Sequence, residues 1–188
     1  LLLAASLRSW NLTTLPAGPS DYEQAQIELI EDRTKRGDIR VFYDTPDGGQ
    51  EGLYHNILGL LTVLSGSGTL TYRLFSIWLN LITVALIYSV GMRLIGRIGA
   101  LAAAGLFSVL FVPNLLARLI LMEAALPLLV AATLLALARA LPVYNRRRVE
   151  TKTTIDYTAL GTLLGISLYV HQSGLLLLLG AMLFIGFI

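Results

Sequence analysis

The chain has 188 residues, of which 55 % are hydrophobic and 14 % are charged, with a net charge of +2 and no cysteine. A soluble domain of this size carries about a quarter charged residues, so the composition excludes an ordinary soluble protein and indicates an integral membrane protein. Disulfides and thiolate metal sites are excluded, and the charge gives no reason to expect a nucleic-acid partner. Because the chain starts without methionine and ends in an apolar run, we expect an N-terminal portion of a longer protein, incomplete at both ends.

The first part of the chain is predicted to be the end of a helix followed by a polar loop. Residues 1–7 are apolar and are predicted to end a first transmembrane helix. Arg8 and Trp10 would then lie at the membrane interface, where a snorkelling arginine and an indole are favourable. Residues 8–69 are predicted to form an extracytoplasmic loop that carries juxtamembrane helices.

Two helices are predicted within this loop. A turn rich in proline and glycine precedes Ser20 and Asp21, either of which can cap a helix through a side-chain oxygen. The helix itself is predicted over Tyr22–Arg36, with one apolar face. Residues 52–64 are apolar but too few to cross a bilayer, so we predict an amphipathic interfacial helix that lies on the membrane.

The remainder, residues 70–188, is predicted to be a polytopic bundle of transmembrane helices, so the predicted fold class is an all-α integral membrane protein. The predicted helices cover about 70–92, 98–117, 119–141, 157–170 and 175–188. A polar bend at His171–Gly174 separates the last two. One long kinked helix over the same residues is the alternative.

The distribution of basic residues predicts the orientation in the membrane. Arg93 and Arg97 lie in one short loop and Arg146–Arg148 lie in another, and alternating spans put both loops on the same side. The positive-inside rule makes that side cytoplasmic. The loop that carries Asp21 is then extracytoplasmic, and we predict a multi-pass protein of the plasma membrane.

Three polar clusters are predicted to meet at the outer face of the bundle. They are Asp21 with Glu23, Arg118 with Glu123, and His171 with Gln172. Ionisable side chains at the edge of a span are costly unless they pair or face a cavity. A carboxylate that faces such a cavity can act as a general base.

Each candidate also has a purely structural interpretation. Asp21 can be a helix N-cap, and Glu23 can favour the first helical turn. Arg118 and Glu123 can pair with each other, although residues five apart do not share a face of a continuous helix. His171 can be a hydrogen-bonding residue in a helix break.

Arg73, near the start of its span, is most simply a snorkelling anchor. The sequence contains no glycine-rich phosphate loop, no zinc-ligand spacing and no credible Ser/His/Asp triad. The residues therefore predict no metal site.

Short motifs follow one another along the chain in a recognisable order. They are Leu7-Arg8, Leu15-Pro16, Asp21-Tyr22-Glu23-Gln24-Ala25, Gln50-Glu51-Gly52-Leu53-Tyr54, Leu70-Thr71-Tyr72-Arg73, Arg118 through Glu123, and Ser167–Ser173. This order resembles the polytopic C-type glycosyltransferases, in particular the group that contains the bacterial protein O-mannosyltransferases and the aminoarabinose transferase of lipid A. The acidic pair is split by Tyr22, so either Asp21 or Glu23 can take its leading place.

The resemblance implies a reaction and a set of roles. A polyprenyl-phosphate sugar is the donor, and an acceptor hydroxyl attacks its anomeric carbon with inversion at the extracytoplasmic face. Asp21 is then the expected base, with Glu23 as its helper or substitute. Glu123 is expected to position the acceptor or the sugar. Donor phosphate or substrate contacts are expected from Arg73, Arg118 and His171.

Two other classes of protein remain as alternatives. One is a non-catalytic subunit of a larger membrane complex, built on the same fold and bound to partner subunits. The other is a transporter, which is disfavoured because no inverted repeat and no mid-span ionisable residue is visible. The acceptor, whether protein, lipid or glycan, stays open, and so does a divalent metal, which no residue pattern supports.

Overall fold

The computed structural model describes residues 1–12, 14–43, 50–140 and 153–186, and most of them are α-helical. The elements are α1 (Leu2–Ser9), α2 (Asp21–Arg36), β1 (Phe42–Tyr43), β2 (Gln50–Glu51), α3 (Gly52–Ser65), α4 (Thr69–Leu94), α5 (Gly96–Val109), α6 (Phe111–Leu116), a 3₁₀ turn (Met122–Ala125), α7 (Leu126–Ala140), α8 (Thr153–Val170) and α9 (Gly174–Gly186). The two short strands are antiparallel, with Phe42 opposite Glu51. The predicted helical architecture is confirmed in these residues, whereas the basic loop at Arg146–Arg148 lies outside them.

Two helical segments are long and apolar enough to cross a membrane. They are α4, with 26 residues and a hydropathy of 1.8, and Met122–Ala140, with 19 residues and a hydropathy of 1.6. The other apolar helices are shorter. Helix α4 packs against α5 and α7, and α7 packs against α8, so α4 and α7 form the centre of the bundle.

The predicted span over residues 98–117 is wrong as a single helix. Helix α5 ends at Val109, and Leu110 is extended, with φ −59° and ψ 138°. Pro113 has no N–H, and in a continuous helix its ring would clash with the carbonyl four residues earlier, so the helix breaks there. The Asn114 side chain donates to the carbonyls of Ser108 and Leu110 at 2.8 and 2.7 Å, and the Ser108 carbonyl is one that the break leaves without a helical N–H partner.

The predicted span over residues 119–141 also begins later than expected. Leu121 is extended, the 3₁₀ turn follows, and α7 starts at Leu126. Pro127 is the second residue of α7, and because proline is tolerated only in the first turn of an α-helix, the helix begins close to this position. Residues 117–121 are non-helical, and within them Arg118 contacts the C-terminal end of α1 while Ile120 contacts Glu23 at the start of α2.

The snorkelling side chain predicted for Arg8 is wrong. Its side chain is 0 % exposed. The Nε atom donates to Asn80 Oδ1 at 2.7 Å, and Nη1 donates to the carbonyls of Ala4 and Ser108 at 3.1 and 3.2 Å. The last carbonyls of a helix have no partner within the helix, and Arg8 supplies one to the end of α5. Arg8 therefore ties α1 to α4 and α5 within the bundle.

Helix α2 starts and ends at the residues that favour those positions. The Ser20 side chain accepts a hydrogen bond from the Glu23 N–H, while the Glu23 side chain accepts from the Ser20 N–H, which is a capping box. Gly37 follows the helix with φ 64°, a left-handed conformation that glycine adopts without steric cost. Helix α2 then packs on α3, which places the first turn of α2 beside the non-helical segment at Ile120.

Candidate functional site

Asp21 is the first residue of α2, and its side chain is exposed to solvent. Ser20 is the capping residue, so the N-cap interpretation of Asp21 does not apply. Within the described part of the chain, the Asp21 carboxylate has no hydrogen bond and no ion pair. A general base needs to be within hydrogen-bond reach of the proton that it takes, and an exposed carboxylate without partners leaves its oxygens open to such a bond.

Glu23 lies two residues further on and is in a different environment. Its side chain is 1 % exposed. The Oε2 atom accepts hydrogen bonds from Ser20 N and Ser20 Oγ at 2.9 and 3.1 Å, and Oε1 accepts from the Ile120 N–H at 2.9 Å. Both carboxylate oxygens are therefore used to join the start of α2 to the segment that carries Arg118 and Glu123.

Replacing Glu23 by Ala is expected to lower the free energy of unfolding by about 2–4 kcal/mol, because the capping box is lost and the buried Ile120 N–H is left without a partner. The decrease is measured as a lower Tm in thermal unfolding followed by tryptophan fluorescence. Glu28→Ala is the control, since Glu28 is an exposed acid of the same helix. Equal Tm values for the two variants would show that the hydrogen bond between Glu23 and Ile120 does not contribute to the stability of the fold.

Glu123 lies at the edge of a cavity between α4, α5, α6 and α7. The cavity has a volume of about 600 Å³, and its described lining is apolar except for Thr83 and Glu123. The Oε2 atom of Glu123 is buried and has no hydrogen-bond partner among the described residues. Desolvation, and secondly the charge of Glu123, raise the pKa of Tyr22, which places Glu123 close to the first turn of α2.

Tyr54 and Ser76 were not predicted as site residues, but both are buried in the core, and Tyr54 lies within electrostatic range of Glu123. Burial raises the pKa of the Tyr54 hydroxyl, and the charges of Glu123 and Glu23 raise it further. Ser76 is close enough to Tyr54 to lower the pKa of its hydroxyl. The hydroxyls of Tyr54 and Ser76 nevertheless form no hydrogen bond of normal geometry. Tyr54, Ser76 and Glu123 thus each have a buried oxygen without a partner in the described chain, which is uncommon in a folded core.

Arg73 is buried at 4 % exposure and is directed to the first loop. Its Nη1 donates to the carbonyls of Leu12 and Pro16 at 3.4 and 3.3 Å, and its Nη2 donates to the Gly18 carbonyl at 3.0 Å. Arg73 therefore anchors the loop that precedes Asp21 and is not a surface-exposed snorkelling residue.

Arg118 donates from Nη2 to the carbonyls of Leu7 and Trp10, both at 2.7 Å. These carbonyls lie at the C-terminal end of α1, where a cation is favourable. Arg118 forms no ion pair with Glu123, although the sequence allows one. Its Nε and Nη1 atoms have no hydrogen bond within the described residues, and the side chain is partly exposed.

His171 lies in the bend between α8 and α9, where its Nδ1 accepts a hydrogen bond from the Ser173 N–H at 3.0 Å. A Cβ atom at Gly174 would collide with the Ser167 carbonyl, so glycine is needed for this tight bend. His171 is not among the residues that line the cavity beside Glu123. The structure therefore brings Asp21, Glu23 and Glu123 to one region and leaves His171 at the bend. No group of three metal-ligating side chains occurs in the part of the chain that is described.

Comparison with known proteins identifies a family. A family model described as dolichyl-phosphate-mannose-protein mannosyltransferase matches residues 53–187. The match includes Arg73, Arg118, Glu123 and His171, and it begins after Asp21 and Glu23. No curated protein and no solved structure matches the chain.

Proposed function

Since the chain belongs to the dolichyl-phosphate-mannose-protein mannosyltransferase family, we propose that it transfers a sugar from a polyprenyl-phosphate-linked donor to an acceptor hydroxyl at the extracytoplasmic face of a membrane. The family is membrane-associated and consists of glycosyltransferases of the mannosyltransferase type that use a lipid-linked sugar. The identity of the donor, the site of transfer and the residues involved are parts of the proposal.

The observation that carries this proposal is the apolar cavity that ends at Glu123. Its walls can accommodate part of a polyprenyl chain, because an apolar lining favours an apolar ligand. The carboxylate of Glu123 lines the same cavity and has a buried oxygen without a partner among the described residues, so it is suited to the polar part of the donor. An apolar cavity with one carboxylate in its lining supports a substrate that is part lipid and part sugar.

The proposed chemistry begins with Asp21. Its carboxylate takes the proton of the acceptor hydroxyl while the hydroxyl oxygen attacks the anomeric carbon of the sugar. The bond from that carbon to the phosphate oxygen breaks, the polyprenyl phosphate leaves, and the configuration is inverted. Such general-base assistance contributes about 10²–10⁴-fold. Glu23 acts as a positioning residue, because both of its oxygens are occupied.

The leaving phosphate needs a positively charged neighbour. Arg118 is the better of the two candidates, since its Nε and Nη1 atoms are unoccupied and its side chain is partly exposed. Arg73 is buried, and both of its terminal nitrogens bind loop carbonyls. Glu123 positions the sugar or the acceptor, and His171 is a more distant candidate for lining the acceptor path.

We propose a multi-pass topology in the plasma membrane with the Asp21 loop outside. Arg73 is bound to that loop at one end of α4, and Arg93 lies near the other end, about 30 Å away at the rise of an α-helix. This distance equals the thickness of the hydrocarbon core. It supports a cytoplasmic position for Arg93 and Arg97, on the side to which the positive-inside rule also assigns Arg146–Arg148.

The function is tested with membranes that contain the full-length protein. Radiolabelled sugar is offered on a panel of polyprenyl-phosphate donors, and a nucleotide sugar of the same label is offered as a matched control. Transfer from at least one lipid donor and none from the nucleotide sugar is expected. If no donor is used with any protein, lipid or glycan acceptor, the proposal is wrong, and the alternative of a non-catalytic subunit is examined by identifying proteins that copurify.

A further inference from the structure

A second pocket lies between α2, α3 and the segment that joins α2 to β1. Its volume is about 260 Å³, and its polar lining includes Arg33, Asp38, Tyr43, His55 and Asn56. It shares no lining residue with the cavity beside Glu123. The second pocket is therefore a separate site, and the transfer reaction gives it no role.

Arg33 is the residue that distinguishes this pocket. Its guanidinium carbon lies 3.6 Å from the centroid of the Tyr43 ring, a cation–π contact. Among the described residues, the guanidinium has no hydrogen bond and no ion pair, and its Nη1 atom is buried. Since a guanidinium has five N–H donors and no acceptor, these donors are available to a ligand that supplies oxygen atoms.

The neighbouring carboxylates are bound to other cations. Asp38 Oδ1 accepts from Arg40 Nε at 2.7 Å. Asp32 pairs with Arg36 at 3.0 Å, and Glu31 pairs with Lys35 at 3.7 Å. Each of these acids is thus compensated, and the charge of Arg33 is left without a direct partner.

The remaining polar groups add no net charge and hold the pocket in shape. Burial lowers the pKa of His55, so its ring is neutral at pH 7, and its Nε2 lies 2.6 Å from Gln26 Oε1. The Tyr43 hydroxyl accepts from the Arg40 N–H and lies 2.7 Å from both the Asp38 carbonyl and Asn56 Oδ1. The ring on which Arg33 stacks is therefore fixed, and so is the position of the positive charge.

The rim of the pocket is apolar and exposed. Ile39, Leu60 and Val63 line it with large exposed side chains, and Val41 and Leu64 extend the same exposed apolar area. An exposed apolar area next to an unpaired cation fits an amphiphile with an anionic head. Pockets for drug-sized molecules measure about 300–1,000 Å³, so this smaller pocket is suited to a headgroup and not to a whole lipid.

We propose that the pocket binds the anionic phosphate headgroup of a membrane lipid, with Arg33 as the donor to the phosphate and with Ile39, Leu60 and Val63 against the start of its acyl chains. Arginine can bind phosphate in a bidentate manner, and the protein family is membrane-associated, so lipid headgroups with phosphate are close to the protein. A bound lipid would cover α3 and fix α2 relative to the membrane surface. The proposal does not depend on the transfer reaction, because the ligand, the pocket and the measurement are all different.

Binding is tested on the full chain purified in detergent. The protein is incubated with equal amounts of phosphatidylglycerol and phosphatidylcholine that have the same acyl chains, and the lipids that remain bound are counted by native mass spectrometry. The wild type is expected to retain roughly threefold or more phosphatidylglycerol than phosphatidylcholine. In Arg33→Gln the preference should disappear. Arg36→Gln is the matched control, since Arg36 is an exposed cation of α2 that does not line the pocket.

A second variant keeps the charge and narrows the pocket. Val63→Phe changes an exposed residue of the rim and is expected to reduce phosphatidylglycerol binding while Arg33 is still present. If Arg33→Gln does not fold, Val63→Phe tests whether this pocket binds the lipid. The proposal is overturned if the wild type shows no preference, if Arg33→Gln retains it, or if Arg36→Gln loses it equally. Inorganic phosphate is added in a separate arm. If the wild type binds inorganic phosphate through Arg33 but shows no preference between the two lipids, the pocket takes a free oxyanion and not a lipid.

Discussion

Asp21→Asn is expected to reduce sugar transfer by about 10²–10⁴-fold, since an amide cannot take the proton of the acceptor hydroxyl. The folded protein should be retained, because the Asp21 side chain is exposed and Ser20, not Asp21, caps α2. Removing one acid from the first turn costs about 0.3–1 kcal/mol through the helix dipole, which does not unfold a domain. The measurement is the rate of transfer from the lipid donor at matched amounts of folded protein.

Glu28→Gln is the matched control for Asp21→Asn. Glu28 is exposed and lies about two turns further along the same face of α2, so the same loss of charge occurs outside the proposed site. Transfer by Glu28→Gln should equal that of the wild type. Full activity of Asp21→Asn would exclude Asp21 as the base, and an equal loss in both variants would indicate a general effect of charge on the outer face.

The local structure of α2 could be predicted from the sequence because short-range chemistry determines it. Ser20 can cap a helix through its hydroxyl, and Gly37 can adopt the left-handed conformation that ends one, so both limits follow from residues next to the helix. The long apolar runs of α4 and α7 likewise predict membrane-spanning segments from hydropathy alone. Helix breaks were predicted less well, although Pro113 and Pro127 mark both of them in the sequence.

The partners of the arginines could not be predicted, because they depend on packing between distant parts of the chain. Arg8 binds Asn80, which is 72 residues away. Arg118 binds the carbonyls of Leu7 and Trp10, whose positions are known only once α1 is in place. Position in the sequence suggested an interfacial anchor or a phosphate ligand for each arginine. The structure uses two nitrogens of Arg8 and one nitrogen of Arg118 for backbone carbonyls.

Ser76, in contrast, could have been found from the sequence. Arg73, Ser76, Asn80 and Thr83 recur every three or four residues within the apolar α4, and all four are buried. Polar residues at that spacing in a span share one face of the helix, and that face is expected to point into the bundle. Tyr54 was missed for a different reason, since its burial depends on how α3 packs against α2 and α4, which the sequence alone does not determine.

Glu123→Gln is expected to change activity and stability in opposite directions. Transfer should fall by about 10²-fold, because the carboxylate that positions the sugar or the acceptor is lost. The free energy of unfolding should not decrease and should rise by up to about 1 kcal/mol, because a partly buried charge whose Oε2 has no hydrogen-bond partner is replaced by a neutral group of the same shape. The two measurements are the rate of transfer and the Tm.

Glu23→Gln is the control, because it makes the same chemical change at a carboxylate whose oxygens are all bonded. That variant should lose stability, since the amide nitrogen cannot accept the hydrogen bonds that the carboxylate receives from Ser20 and Ile120. Substitution of a purely structural residue lowers both stability and activity. Substitution of a residue whose polar atoms are kept free to bind a substrate lowers activity alone. A lower Tm for Glu123→Gln with unchanged transfer would therefore assign Glu123 to the structure of the bundle and would remove it from the proposed site.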